Sequence, residues 1–190
     1  HLLSRIRTAG IRDVVLSTSY KAEVFSEYYG DGSKLGLNLR YVTEDEPLGT
    51  MGPVVSNLDD LPEDFIVMNG DVLTDLDYRA LLEGHRASEA PLTVAAYDRV
   101  VKIDFGVLDI GGDDGDRIVE FREKPVEHFS VSMGVYAASR ETLRSYPAGQ
   151  PLGFDELVLD LMAAGTPPRV HRFDGYWLDI GTPDKYIEAH

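Results

Sequence analysis

Short apolar runs alternate with amphipathic segments in the first half of the chain, and this alternation limits the possible folds more than any other feature. Residues 13–17, 65–69 and 91–97 have the length and apolar character of strands buried in a sheet. Within the second of these runs, residues 65–68 are continuously apolar, as in the middle of a parallel sheet. Residues 21–29 and 77–86 carry apolar side chains at helical spacing. The pattern predicts a three-layer α/β fold.

The second half changes rhythm and predicts a more mixed arrangement. Residues 105–110 and 117–123 flank the turn-rich G-G-D-D-G-D, which predicts a hairpin with an acidic tip. The remaining predicted elements are a first helix that ends near Gly10, strands at 37–42, 131–137 and 168–173, helices near 50–57, 139–145 and 154–163, and a closing helix after Pro183. We find no repeat, linker or low-complexity stretch, so one domain over residues 1–190 is predicted.

Charge and composition exclude several classes of function. The 33 acidic and 18 basic residues give a net charge of −15, whereas a protein that coats nucleic-acid phosphates needs the opposite sign. The chain has no cysteine, which excludes disulfides, thiolate metal sites and cysteine nucleophiles. No apolar run approaches the roughly 20 residues that span a bilayer. We therefore predict a cytoplasmic protein with neither nucleic acid nor membrane as a partner.

Two aspartates stand where a divalent cation could bind. Asp71 closes the tripeptide N-G-D directly after an apolar strand, and ligands of open α/β sheets bind beyond the carboxyl ends of strands. A carboxylate there suits Mg²⁺ shared with a substrate phosphate. The alternative is that N-G-D is simply a turn. Asp179 lies in W-L-D-I-G-T-P, too early to cap the helix that Thr182 and Pro183 predict, so a metal is one candidate partner.

The tripeptide E-K-P at 123–125 carries adjacent charges at a predicted strand end. Neighbouring side chains on a strand point to opposite faces, so Glu123 and Lys124 can share a ligand only where the strand ends, and Pro125 provides that ending. Lys124 could then bind a phosphate and Glu123 could accept hydrogen bonds from sugar hydroxyls. The alternative is an exposed charge pair without a ligand.

A glycine-bracketed loop precedes the third predicted helix. Gly49 and Gly52 flank Thr50 in E-x-E-P-L-G-T-M-G, which lets the backbone approach a planar ligand such as a nucleobase. The alternative, compatible with the first, is that Thr50 is a helix N-cap.

Taken in this order, the segments resemble the sugar-1-phosphate nucleotidylyltransferases. The similar stretches, within about residues 37–188, are Y-V-T-E-D-E-P-L-G-T-M-G, F-I-V-M-N-G-D-V-L-T, D-F-G-V-L, V-E-F-R-E-K-P, V-S-M-G-V-Y and G-Y-W-L-D-I-G-T-P-D-K-Y. The resemblance implies the Rossmann-like α/β/α fold of nucleotide-diphospho-sugar transferases, with a mixed, mainly parallel central sheet. It also implies that an NTP and a sugar 1-phosphate yield an NDP-sugar and pyrophosphate, with glucose or mannose and dTTP or GTP as the leading pairs.

The resemblance assigns roles by motif. Asp71, Lys124 and Asp179 would be catalytic, with Asp71 and Asp179 holding Mg²⁺ and Lys124 gripping the sugar phosphate. Glu123 would bind sugar hydroxyls. The other substrate-binding residues it implies are Gly106 and Gly134, which would allow close backbone approach to the sugar, Gly70, and Glu44, Gly49 and Thr50 near the base.

The chain departs from the family pattern in its first segment. Members open with a strand and a glycine-rich loop, G-G-x-G-T-R-L, that residues 1–190 lack, and Met51 stands where small residues are usual. We expect a fragment truncated at its N-terminus, inactive by itself, whose missing strand leaves an edge that favours a homo-oligomer. The alternative is a non-catalytic, nucleotide-sugar-binding or regulatory subunit of the same fold.

Overall fold

The computed structural model describes residues 2–18, 22–44, 46–112, 114–181 and 185. The helices are α1 (Leu2–Thr8), α2 (Ala22–Tyr29), α3 (Gly52–Ser56), α4 (Tyr78–Ser88), α5 (Arg140–Leu143) and α6 (Phe154–Ala163). The strands are β1 (Asp13–Thr18), β2 (Asn38–Thr43), β3 (Asp64–Met68), β4 (Val72–Thr74), β5 (Leu92–Lys102), β6 (Val107–Gly111), β7 (Arg117–Arg122), β8 (Val126–Ser139), β9 (Arg169–Phe173) and β10 (Trp177–Asp179). The predicted closing helix falls, except for Lys185, outside the described residues. None of the described helices is long and apolar enough to cross a membrane.

A four-stranded sheet with the order β3-β8-β5-β9 forms the centre of the fold. β8 runs antiparallel to both neighbours, and β9 runs parallel to β5, so β3, β5 and β9 share one direction. The mixed sheet is as predicted, with fewer parallel pairs than expected. The predicted parallel setting of β3 is wrong, because this strand pairs antiparallel with β8. An apolar run indicates that both faces of a strand are buried, but it does not indicate whether the neighbouring strand is parallel or antiparallel.

Two apolar clusters cover the two faces of this sheet. Along β8, Met133, Val135 and Ala137 contribute to the first cluster, while Tyr136 and Ala138 contribute to the second. The first cluster also holds residues of α1, β2 and α4, and the second holds residues of α3, α5 and α6. Because strand side chains alternate between faces, this division gives the three layers that the sequence predicted.

Two smaller strand pairs flank the central sheet. β1 and β2 run parallel in register from Asp13 opposite Asn38 to Thr18 opposite Thr43. β4 and β10 form a short antiparallel ribbon in which Asp179 lies opposite Val72. This ribbon was not predicted, since three residues are too few to show a periodic pattern.

The predicted hairpin is present as β6 and β7. Leu108 lies opposite Phe121, and Ile110 lies opposite Ile118, so one face of the hairpin is apolar and exposed. Beyond Asp98, β5 continues with β8 as a two-stranded ribbon that leads into this hairpin. The hairpin therefore carries the E-K-P segment away from the layered core.

A buried histidine joins α4 to the amino-terminal part of the central sheet. His85 is 1% exposed, and its Nδ1 lies 2.9 Å from the hydroxyl of Thr93. Its Nε2 lies 3.0 Å from the hydroxyl of Ser139, which donates to Asp64 at 2.9 Å. Burial is the main cause that lowers the pKa of His85, although the Asp64 carboxylate opposes it. Folding therefore favours the neutral form of the His85 ring.

We expect this histidine to make the fold acid-sensitive. In the unfolded chain its pKa is about 6.5, so below that pH the unfolded state takes up a proton that the native state resists. The free energy of unfolding contributed by His85 is complete above that pH and decreases as the pH falls below it. Thermal unfolding of the wild type and of His85→Gln, compared at pH 8 and pH 5, should show a larger loss in the wild type. Equal losses in both proteins would contradict this assignment.

Candidate active site

Two carboxylates meet at the carboxyl edge of the sheet. Asp71 follows the end of β3, and Asp179 closes β10 in the neighbouring ribbon. The backbone N–H of Ile180 donates to the carbonyl of Asp71 at 2.9 Å, which fixes the two segments together. A Cβ on Gly181 would lie 2.7 Å from Asp71 Oδ2 and 3.1 Å from Asp179 Oδ1. Both carboxylates therefore point toward the same small volume, which only a residue without a side chain leaves open.

Asp179 is held as an ionised carboxylate. Its Oδ1 accepts a hydrogen bond from the Gly181 N–H at 2.9 Å, and its Oδ2 accepts one from Lys185 Nζ at 3.2 Å. The Gly181 N–H, followed by the Lys185 ammonium, lowers the pKa of Asp179 below its ordinary value. Sequence reasoning missed Lys185, because nothing in the pattern connects it with an aspartate six positions earlier.

The donor set of this pair fits Mg²⁺. The ion prefers oxygen ligands and commonly takes one or two carboxylates, with water and substrate phosphate completing its shell. Asp71 is exposed and the Asp179 side chain is 45% exposed, so the other positions around an ion are open to such ligands. Within the described residues no group of three or more His, Cys, Asp or Glu could hold a metal. Asp71 and Asp179 would be the protein ligands of an ion bound between them.

Gly134 lets β8 approach the N-G-D loop closely, and β10 is bonded to the neighbouring part of β8. Gly134 has a φ of +73°, and a Cβ there would lie 2.8 Å from Asn69 Nδ2. The Asn69 N–H donates to the Gly134 carbonyl at 2.9 Å, and the Trp177 ring N–H donates to the Met133 carbonyl at 3.0 Å. Gly70 has open space around it. These contacts tie the loop, β8 and β10 together.

The E-K-P segment bends sharply after β7. Lys124 has a φ of +44°, a left-handed conformation that a lysine rarely adopts and that is frequent at functional sites. This bend removes the strand alternation that would separate Glu123 from Lys124. Glu123 Oε2 lies 3.3 Å from the position of a Cβ on Gly106, and the Phe121 ring lies 2.6 Å from it. The structure thus brings Glu123 and Gly106 together on the hairpin side, in a group separate from the aspartate pair.

The loop after β2 forms a third group. Glu44 accepts hydrogen bonds from the Ser17 hydroxyl at 2.6 Å and from the Leu48 N–H at 3.0 Å. Gly49 has a φ of +74°, and a Cβ there would lie 2.7 Å from the Leu152 carbonyl oxygen. Glu44 and Gly49 therefore shape this loop against β1 and against residue 152.

The helix after this loop begins one residue later than an N-cap at Thr50 would require. α3 starts at Gly52 with Met51 as its N-cap, so the interpretation of Thr50 as the N-cap is wrong. Pro53 in the first turn was the available signal, since proline favours that position. Met51 is completely buried in the second apolar cluster, which accounts for a large apolar residue here.

A mixed α/β sheet with converging carboxylates at its carboxyl edge is typical of proteins that bind phosphorylated ligands with a metal. The model of the nucleotidyl transferase family matches residues 1–190, and the chain belongs to that family. It is 36% identical over 200 residues to the mannose-1-phosphate guanylyltransferase of Mycobacterium tuberculosis, a match that covers 100% of this chain and 54% of that protein. It is 28% identical to the D-glycero-alpha-D-manno-heptose 1-phosphate guanylyltransferase of Campylobacter jejuni, covering 95% of this chain and 79% of that one.

Solved structures agree with this assignment. HddC from Yersinia pseudotuberculosis superposes with a TM-score of 0.74 at 26% identity, covering 99% of this chain and 81% of that one. The same protein complexed with GMP-PN superposes with a TM-score of 0.71. The predicted family and α/β fold are therefore confirmed. The chain spans about half the length of the mannose-1-phosphate guanylyltransferases that it matches.

Proposed function

We propose that this chain contributes the metal-binding and sugar-phosphate-binding parts of an enzyme that transfers a nucleotidyl group from an NTP to a sugar 1-phosphate. The convergence of Asp71 and Asp179 beside Gly181 carries the proposal, since it offers two hard oxygen ligands at the edge where α/β sheets bind ligands. Relatives named as guanylyltransferases for mannose 1-phosphate and a heptose 1-phosphate support GTP and a manno-configured sugar 1-phosphate as substrates. A neighbour complexed with GMP-PN agrees with a guanine nucleotide.

The proposed reaction needs positioning and charge neutralisation rather than a protein nucleophile. A phosphate oxygen of the sugar 1-phosphate attacks the α-phosphorus of the NTP, the α–β phosphoanhydride bond breaks, and pyrophosphate leaves. The second pKa of a phosphate monoester is about 6, so the attacking oxygen is already anionic at neutral pH and no protein base is required. Holding the two anions in contact with aligned atoms is then the main task of the residues.

Each residue has a specific part in that task. Asp71 and Asp179 would hold Mg²⁺, which supplies positive charge to the phosphates when bound. Lys124 would bind the sugar phosphate, and the bend at its φ of +44° lets it act from the same strand end as Glu123. Glu123 would accept hydrogen bonds from sugar hydroxyls.

The remaining assigned residues would shape the two substrate subsites. Gly70, Gly106 and Gly134 would let the sugar approach the backbone. Glu44 would hold the loop that carries Gly49 and Thr50 near the base, since its carboxylate already bonds Ser17 and Leu48.

Pyrophosphate release over a panel of NTPs and sugar 1-phosphates tests the proposal. We expect the highest turnover from GTP with mannose 1-phosphate or a related sugar, dependent on a divalent metal, in a chain that includes a glycine-rich loop. The 190 residues assayed beside it should turn over little or nothing, because they lack that loop. A folded longer chain that binds a nucleotide-sugar but releases no pyrophosphate with any pair would favour the regulatory-subunit alternative.

In a chain that includes a glycine-rich loop, replacing Lys124 should chiefly weaken sugar-phosphate binding. Lys124→Ala removes an ionic hydrogen bond worth about 1.5–3 kcal/mol, so we expect the KM for the sugar 1-phosphate to rise roughly 10- to 100-fold. The KM for the NTP should change much less. Lys102→Ala is the matched control, because it removes an exposed charge at the end of β5, in the ribbon that β5 forms with β8. An unchanged KM in Lys124→Ala would remove this residue from the site.

A further inference from the structure

A lysine occupies one side of the aspartate pair. Lys185 Nζ lies 3.2 Å from Asp179 Oδ2, while Asp179 Oδ1 accepts the Gly181 N–H and faces the volume shared with Asp71. We propose that Lys185 is an internal counter-ion of the metal site, an inference that rests on the proposed function. It neutralises the carboxylates in the metal-free protein and leaves Asp179 when a divalent cation binds.

The geometry makes the ammonium and a metal competitors for one carboxylate. A divalent ion ligated by Asp179 lies about 2.1 Å from a carboxylate oxygen, within a few ångströms of the ammonium seen here. At such separations like charges repel appreciably, even when water screens them. Binding of the ion therefore requires Lys185 to move away or to remain at an energetic cost.

Exposure allows the lysine to move. Both side chains of the Lys185–Asp179 pair are 45% exposed, so the flexible lysine stem can swing into solvent without disturbing the core. A half-exposed ion pair such as Lys185–Asp179 is weak. It therefore lowers the affinity of the site for a metal ion without preventing the ion from binding.

Charge explains why a counter-ion is useful in the metal-free state. Asp71 and Asp179 bring two negative charges toward one point in a chain whose net charge is −15. Without a cation the two carboxylates repel each other. Lys185 supplies that cation from the same chain.

The test measures metal affinity without substrate. Mn²⁺ binding to the full chain is followed by electron paramagnetic resonance of the free ion and by fluorescence of Trp177, the single tryptophan, two positions from Asp179. In Lys185→Met, which keeps the length of the side chain and removes its charge, we expect the Kd for Mn²⁺ to fall by roughly three- to fivefold. Lys185→Arg and the remote, exposed Lys34→Met should bind like the wild type.

Thermal unfolding gives a second readout. Without metal, Lys185→Met should unfold at a lower temperature than the wild type, and Mn²⁺ should raise its Tm by more. Equal or weaker Mn²⁺ binding by Lys185→Met, in a protein whose binding is abolished by Asp71→Asn, overturns the counter-ion role and leaves the metal site standing. Mn²⁺ binding that is absent from every variant, or insensitive to Asp71→Asn, overturns the metal site and the counter-ion role together.

Discussion

In a chain that includes a glycine-rich loop, Asp71→Asn is expected to keep the fold and to remove most nucleotidyl transfer. The substitution preserves the shape of the side chain but deletes a charge that a divalent ion needs, directly opposite Asp179 across the volume beside Gly181. Losing one preorganised electrostatic contact of this kind costs roughly 10²- to 10³-fold in kcat. Steady-state kinetics at saturating substrates and metal measure the loss, and circular dichroism with thermal unfolding verifies the fold.

Asp59→Asn provides the matched control for this substitution. Asp59 is an exposed aspartate in the turn after α3, outside the three groups of site residues, so its kcat should equal that of the wild type. If Asp71→Asn retained a kcat within a few-fold of the wild type, Asp71 would have no part in the chemistry.

Gly181→Ala is expected to separate the carboxylates without unfolding the protein. Its Cβ would lie 2.7 Å from Asp71 Oδ2 and 3.1 Å from Asp179 Oδ1, so at least one carboxylate has to move away. Displacement of catalytic groups by about 1 Å can cost on the order of a hundredfold in rate. In a chain that includes the glycine-rich loop we therefore expect a large fall in kcat together with weaker Mg²⁺ dependence, measured by titrating metal at fixed substrates.

Gly84→Ala separates this effect from any general intolerance of alanine. Gly84 lies inside α4, and a Cβ there meets nothing within 4 Å. That variant should be fully active and more stable by about 0.5–1 kcal/mol, because alanine favours helix over glycine. Full activity in Gly181→Ala would mean that the open volume beside the aspartates has no function.

Most of the layered fold could be predicted from the sequence because its elements are long enough to show their periodicity. The apolar run of β3 and the amphipathic pattern of α4 are examples. The antiparallel pairing of β3 with β8 could not be predicted, since an apolar run looks the same beside a parallel or an antiparallel neighbour. The β4–β10 ribbon was missed because each strand has only three residues.

The candidate site shows the same division between local pattern and three-dimensional contact. The sequence indicated Asp71 by its place after an apolar strand, and family resemblance paired it with Asp179. The unpredicted ribbon is what brings the two together. Lys185 and the open volume at Gly181 depend on contacts that no spacing rule encodes. The positive φ of Lys124, which bends the chain after β7, could not be predicted, because lysine has no preference for that conformation.

The central claim is that Asp71 and Asp179 form one metal site. The most direct measurement is an anomalous difference map from a crystal of the protein soaked in MnCl₂, with Mn²⁺ in place of Mg²⁺. We predict one strong peak about 2.1 Å from a carboxylate oxygen of each aspartate, in the volume beside Gly181, with Lys185 turned away from Asp179. A peak that touches neither aspartate, or an empty volume beside Gly181 while Mn²⁺ binds elsewhere, would contradict the account.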